Sequence, residues 1–277
     1  DKHMEEIRKE GHINYNVKRA VQLGLPVEKA LQMATIQPAR CYGLYQLGMI
    51  APGRQADFVI LDNVTDLNVV DVYHCGKKII KDEKMEVKPC PPHLKNTVHV
   101  SGFSEERLKL KHSGEKAHVI QMLEKQIVTK HIIEEVPCAE KDGEKYFESN
   151  EEYQKIAVIE RHKNTGKMGV GIVKGYGIRG GAIASSVSHD SHNIIVVGDN
   201  DHDMALAVKE MIRTQGGYTL VCNGEIYGTL PLPVMGLMSD AGYESVNEAL
   251  ARMIPKAHEM GVKDGFDPFI TLSFMAL

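Results

Sequence analysis

The chain of 277 residues gives room for about two compact units at roughly 150 residues each. Its 33 basic and 37 acidic residues leave a net charge of −4, and 43% hydrophobic with 25% charged residues excludes a disordered tail and a basic surface for nucleic acid. No run of about 18 apolar residues and no charged start followed by an apolar core occurs, so neither a membrane span nor a secretion signal is expected and the cytoplasm is the default compartment.

Along the chain, the first forty residues read as helix, break, helix. Val17, Ala20 and Val21 fall at helical spacing between Tyr15 and Leu23, Gly24 closes that helix, Pro26 suits the first turn of the next, and Pro38 ends the region. Residues 56–61 and the β-rich segment Val69 to Ile80, broken at Cys75-Gly76, predict strands paired through a turn. Pro89, Pro91 and Pro92 cluster where chains pass between domains and put a boundary near residue 95. Beyond it, residues 116–128 alternate apolar and polar, and Lys141 to Glu152 reads as a charged loop or hairpin tip. Four short β-type runs follow, around residues 156–159, 169–173, 182–187 and 194–197. Asp201 to Thr214 is a helix capped by Asn200 or Asp201 and stopped at Gly216-Gly217, and Tyr218 to Leu230 is a hairpin turning at Asn223-Gly224. The last long helix, Ser245 to Met260, contains Pro255, which should kink or divide it. Strands and helices in mixed order give the second domain an α/β or α+β architecture.

The five cysteines, Cys41, Cys75, Cys90, Cys138 and Cys222, are odd in number, scattered and without a Cys-x-x-Cys, so they read as reduced and structural. Residue 1 is Asp and the chain stops inside the apolar run that starts at Phe269, so the sequence reads as a piece of a longer protein.

The densest polar constellation is Ser188-His189-Asp190-Ser191-His192-Asn193, between two strand-like runs. So many donors, acceptors and titratable groups in one loop mark a candidate functional site, against the plainer reading of a turn whose side chains bond their own backbone. Three-residue spacing off a helix makes His189 and His192 a weak metal signal. Asp199, Asp201 and Asp203, with Glu210 at the twelfth place, lack the glycine of a calcium loop, since Met204 holds the sixth place, and such a loop is not expected. Glycines 175, 177, 180 and 181 surround Arg179, which with Lys174 could meet a ligand, although a tight turn explains them as well. Neither a phosphate-binding glycine loop nor a Gly-x-Ser-x-Gly nucleophile elbow is present. Asp1, Lys2, His3 and His12 form a polar start to the first helical stretch.

Thr35-Ile36-Gln37-Pro38-Ala39-Arg40, followed by the segment Gly48 to Asp62 with Pro52-Gly53-Arg54-Gln55-Ala56-Asp57, resembles the passage from the barrel of an amidohydrolase into its β-sandwich. Asp1-Lys2-His3, Glu10-Gly11-His12-Ile13-Asn14, Ser186 to Gly198, Leu230 to Ser239 and Asp267-Pro268-Phe269 together resemble the bacterial adenine deaminase family along essentially the whole chain. The resemblance implies the last part of a (β/α)8 barrel over residues 1–50, a β-sandwich return over 51–95 and the family's C-terminal domain over 96–277. It also implies a homo-oligomeric hydrolase that converts adenine to hypoxanthine and ammonia.

In that chemistry a divalent metal, manganese or iron, lowers the pKa of bound water so that hydroxide attacks C6, and an acid moves protons to N1 and the departing amine. The resemblance places that acid in an acidic pair just before Lys2-His3, of which Asp1 is the member present: the shuttle is either Asp1, also a candidate metal ligand, or the member outside the chain. The chain contains no His-x-His, with which the family's metal site begins, so the remaining ligands are expected outside it. His189, Asp190, Ser191, His192, Asn193 and Arg179 are then the residues expected to hold adenine or close over it. Two other functions fit the same sequence: another hydrolase of the superfamily acting on a cyclic amide or amine, and a non-catalytic C-terminal module.

Overall fold

The structure, a computed structural model, describes residues 2–79, 90–112, 116–124 and 126–275. It divides into two compact units, residues 1–88 and 89–277. Residues just after the division hold to the second unit, where Met235 N–H donates to the Leu94 carbonyl (2.7 Å) and Lys95 pairs with Asp240. The prolines at 91 and 92 therefore open this unit, ahead of the boundary that their spacing suggested near 95.

The first unit carries four short helices, α1 (Met4–Glu10), α2 (Ile13–Gln22), α3 (Val27–Ala34) and α4 (Ile36–Cys41), then strands β1 (Phe58–Leu61), β2 (Val69–His74) and β3 (Lys77–Ile79). Val17, Ala30 and Leu67 form its small buried cluster. Pro38 lies inside α4 rather than ending the helical region, because it occupies the third helical position, where its missing N–H has no intrahelical acceptor. The strands make one antiparallel sheet in the order β1-β2-β3, with Cys75-Gly76 as the β2–β3 turn. Ile80 and Pro89, used above to read a strand end and a linker, lie outside the described residues.

Large apolar side chains stand open to solvent in this unit: Leu23 is 72% exposed, Tyr42 79% and Ile50 82%. Such surface seeks cover. The 277-residue chain expressed by itself should therefore associate, as measured by size-exclusion chromatography with light scattering. A monodisperse monomer would contradict this.

The second unit is a sheet between two helical layers. Its strands are β4 (Ala117–Gln121), β5 (Lys130–Glu134), β6 (Cys138–Lys141), β7 (Glu144–Phe147), β8 (Tyr153–Ile159), β9 (Met168–Lys174), β10 (Gly181–Ser185), β11 (Ile194–Gly198), β12 (Gly217–Cys222) and β13 (Glu225–Pro231). Its helices are α5 (Asp201–Thr214), α6 (Tyr243–Glu259) and α7 (Pro268–Ser273). Eight strands join in the order β13-β12-β10-β11-β8-β9-β4-β5, antiparallel except for the β4–β9 pair, while β6 and β7 form a separate hairpin.

The five residues of β10 and the five of β11 are all buried, because both faces of these central strands are covered. Ala184, Val196 and Ile194 pack against Met204, Val208 and Met211 of α5. On the opposite face Ile183, Ile195 and Val197 meet Met253 of α6 and Phe269 of α7. Asn200 caps α5 by accepting the Asp203 N–H (2.8 Å), and the helix ends at Gln215 in the left-handed conformation (φ 60°). The β12–β13 hairpin turns at Asn223 (φ 50°) and Gly224 (φ 82°), the signs a type I′ turn requires. Helix α6 runs undivided through Pro255, held by the buried Leu250, Met253 and Ala257 on either side of it.

Candidate functional site

The loop between β10 and β11, residues 186–193, gathers the polar constellation at one end of the central strands. Arg161, which follows β8, fastens it from beneath. Its guanidinium is 1% exposed and has no carboxylate partner among the described residues; instead it donates to three main-chain carbonyls. Nε reaches His192 O (2.5 Å), one terminal nitrogen Met235 O (3.0 Å) and the other Thr97 O (3.4 Å). Burial pulls the guanidinium down to about 10, so it stays charged at neutral pH. The neighbouring His162 donates from Nε2 to Ser191 O (2.8 Å).

A second set of ties secures the start of the loop. Ser186 N–H donates to Gly217 O (3.1 Å), Ser186 Oγ accepts the Gly217 N–H (2.8 Å) and donates to Gly236 O (2.6 Å). Glycine is required where these segments meet. A Cβ on Gly216 (φ 103°) would lie 2.5 Å from Gly236 Cα, and one on Gly236 (φ 71°) would lie 2.7 Å from the Arg161 guanidinium. Gly216-Gly217 thus does more than stop α5: it permits this close approach of main chains.

Within the loop, His192 N–H donates to Ser188 O (2.5 Å), and Ser188 N–H donates to His192 Nδ1 (3.3 Å). Acceptance at Nδ1 needs the neutral imidazole. Burial first, then repulsion from His189, Arg161 and His162, holds His192 below the ordinary histidine value, with Asp190 opposing. His189 stacks on Phe274 just after α7 (centroids 4.8 Å apart, planes 27°) and meets His192 edge-on (5.5 Å, 66°). Its N–H is fixed to Ser273 O (2.8 Å). Phe274 also walls a cleft of about 210 Å³ shared with Met122, Phe266, Ile270 and Met275. Asp190 and Ser191 are exposed. Ser188 Oγ and Asn193 Oδ1 are buried without a hydrogen-bond partner, as is Thr97 Oγ1 on the chain that Arg161 also holds.

The linkage has a sign. A histidine whose folded pKa lies below its unfolded one favours folding fully above the unfolded value, about 6.5, and loses that contribution as pH falls through the folded value. Wild-type protein should therefore lose more unfolding free energy than H192Q between about pH 7.5 and about pH 5, measured in denaturant titrations. Parallel curves for the two proteins would contradict it.

The remaining expected residues are placed elsewhere. Arg179 precedes β10, at the opposite end of that strand from the loop, where it is exposed and pairs with Glu151 (2.7 Å). The structure thus does not bring it together with the histidines. Lys174 is taken by Glu134 and Tyr153. Gly177 (φ 92°) is needed because a Cβ there would lie 2.4 Å from Gly261 O, which favours the turn reading of that glycine cluster. His3 and His12 stand at the starts of α1 and α2, and Lys2 bonds Glu10 (2.8 Å). Asp1 lies outside the described residues. Arg161, His162 and Phe274 are the contributors that sequence reasoning missed, and only the position of Arg161 directly behind an apolar strand could have flagged it.

Residues 126–277 match the family model described as the adenine deaminase C-terminal domain. The chain belongs to that family. Residues 4–98 match the model of the amidohydrolase family. All of this adenine deaminase C-terminal chain aligns with proteins named adenine deaminase: 50% identical over 277 residues to that of Desulfitobacterium hafniense, 40% over 281 to that of Nitratidesulfovibrio vulgaris and 41% over 283 to that of Halalkalibacterium halodurans. In each case it covers 48% of the relative, so the chain spans about half the length of the curated relatives it matches.

The amidohydrolase match suggests a divalent metal cofactor. The described residues do not fit such a centre. Their single group of three potential ligands, Asp57, His74 and Cys75, is exposed on a hairpin of the first unit, and its thiol is foreign to the histidine-rich set that the resemblance implies. Among the described residues, no helix is long and apolar enough to cross a membrane. All five cysteines are free; Cys41 at the end of α4, Cys75 in the β2–β3 turn and Cys138 at the start of β6 are exposed.

Proposed function

We propose that the full-length protein hydrolyses adenine to hypoxanthine and ammonia, serving purine salvage in the cytoplasm as a homo-oligomer without nucleic-acid or membrane partners. The observation that carries this reading is the match of every residue of the chain, at 50% identity, to a protein named adenine deaminase. On this reading residues 1–50 are the end of a metal-dependent barrel, 51–95 a β-sandwich segment and 96–277 the C-terminal domain. The metal, manganese or iron, and its ligands belong to residues outside those described, with Asp1 among the candidates.

The part taken by the described residues is binding and closure. The His189–Phe274 stack offers flat aromatic faces of the kind a purine ring stacks on, and Asp190, Ser191 and His192 supply donors and acceptors beside them. Arg161, His162 and Ser186 hold that surface in shape. Arg179, at the far end of β10, has no share in it.

The test is ammonia release from adenine by the full-length protein, before and after divalent metal is stripped and restored. Metal-dependent turnover is expected. Release from guanine, cytosine or a dihydropyrimidine instead would assign another superfamily substrate, and no turnover at all would indicate a non-catalytic module. Replacing His189 and His192 together by Ala should lower kcat/KM about tenfold or more, the equivalent of about 1.4 kcal/mol of lost stabilisation. Unchanged kcat/KM would remove the loop from the site.

A further inference from the structure

The hairpin of the first unit places a thiol, an imidazole and a carboxylate side by side. Asp57 directly precedes β1, His74 ends β2 and Cys75 (φ 50°) begins the turn into β3. Asp57 Oδ1 accepts the Cys75 N–H (2.7 Å) and faces His74 Nδ1 (3.1 Å), and Asp57 Oδ2 accepts from Gln55 Nε2 (2.6 Å). These contacts hold the carboxylate below the usual carboxylate range, the bond from Cys75 contributing most. A carboxylate that accepts a hydrogen bond from Nδ1–H keeps the proton on that nitrogen and leaves the Nε2 lone pair as the free end of the ring. Nε2 in turn faces Cys75 Sγ at 3.6 Å.

Latching of the β2–β3 turn accounts for Asp57 and the Cys75 N–H. The thiol and the imidazole meet end to end at sulfur hydrogen-bond distance, two soft donor atoms facing each other at an exposed turn. With Zn–S of about 2.3 Å, Zn–N of about 2.05 Å and a tetrahedral angle, the S···N edge of a zinc site is about 3.6 Å. The two atoms already stand at that separation. Ligand atoms from all three residues lie within 4.8 Å of one another, and all three side chains are open to solvent.

We infer that Cys75 Sγ and His74 Nε2 bind a thiophilic divalent cation of the zinc type, with Asp57 as the carboxylate that orients His74 and water in the remaining positions. The metal replaces the thiol proton, which passes to solvent, so binding releases one proton. The test of this site does not read activity.

Full-length protein stripped of exchangeable metal is titrated with Co2+, and the spectrum of C75S is subtracted from that of the wild type. One equivalent of a thiolate-to-cobalt charge-transfer band is expected in the difference spectrum, absent in H74A and bleached by added Zn2+. The other cysteines and any catalytic metal cancel in the subtraction. Both substituted side chains are exposed, and unchanged circular dichroism of C75S and H74A keeps the comparison fair. D57N should weaken Co2+ binding about 10-fold to 100-fold. Identical spectra for wild type and C75S, or a band that survives in H74A, would overturn the site, and an unchanged affinity in D57N would overturn the part given to Asp57.

Discussion

Replacing Arg161 by Ala lowers the stability of the full-length protein's C-terminal unit by about 3–5 kcal/mol. The guanidinium is enclosed, and its three bonds join residues far apart in sequence: Thr97 before the sheet, His192 in the loop and Met235 after β13. Alanine strands all three carbonyls without a donor and leaves a cavity, and each unpaired buried acceptor costs about 1–3 kcal/mol. R161M separates the contributions. It fills much of the space and removes the cost of burying a charge, so its loss should be smaller than that of R161A, yet the carbonyls stay unpaired. Denaturant unfolding followed by circular dichroism measures both. A loss below about 1 kcal/mol in R161A would mean that water satisfies those carbonyls and that the arginine is not the fastening described.

The second large effect is expected at Gly217. A Cβ there would stand 2.1 Å from Leu230 O and 3.1 Å from its carbon, both main-chain atoms, at φ 146°. Neither atom can swing aside as a side chain can, since Gly217 and Pro231 are paired in register between β12 and β13. Overpacking of about 1–3 kcal/mol and backbone strain of about the same size add, so G217A should lose about 3 kcal/mol or more. It should also loosen the loop, because Ser186 bonds to both polar groups of Gly217. Gly224 provides the control: it has φ 82° but open space around it, so G224A pays for conformation alone, about 1–3 kcal/mol. Equal losses in the two variants would show that the close contact at Gly217 relaxes away.

What could be read from the sequence was local. Helix α5 and its Asn200 cap, and the hairpin turning at Asn223-Gly224, are written in a few adjacent residues whose backbone preferences decide the outcome. Proline misled where position matters more than identity. Pro38 sits where a helix spares its N–H, and Pro255 is carried by the packing of the residues around it. The strand order was not legible, because pairing β12 with β10 and β4 with β9 joins segments separated by whole elements. The histidine loop was visible as a polar run, but its support was not. An arginine reads as a surface residue, and the carbonyls that Arg161 holds belong to no residue type. Arg179 shows the converse error: nearness to glycines in sequence drew it into the site, while the length of β10 puts it at the other end.

That support has a consequence for how the loop can change. Arg161 grips the main chain at Thr97, His192 and Met235, and Ser186 grips it at Gly217 and Gly236. The frame is therefore blind to most side chains it carries. Natural drift or a directed library could rewrite positions 189–191 freely while the curve of the loop persists, so long as Arg161, Ser186 and the close-set glycines stay fixed. The unit offers a cassette in which recognition can be exchanged without redesigning the scaffold.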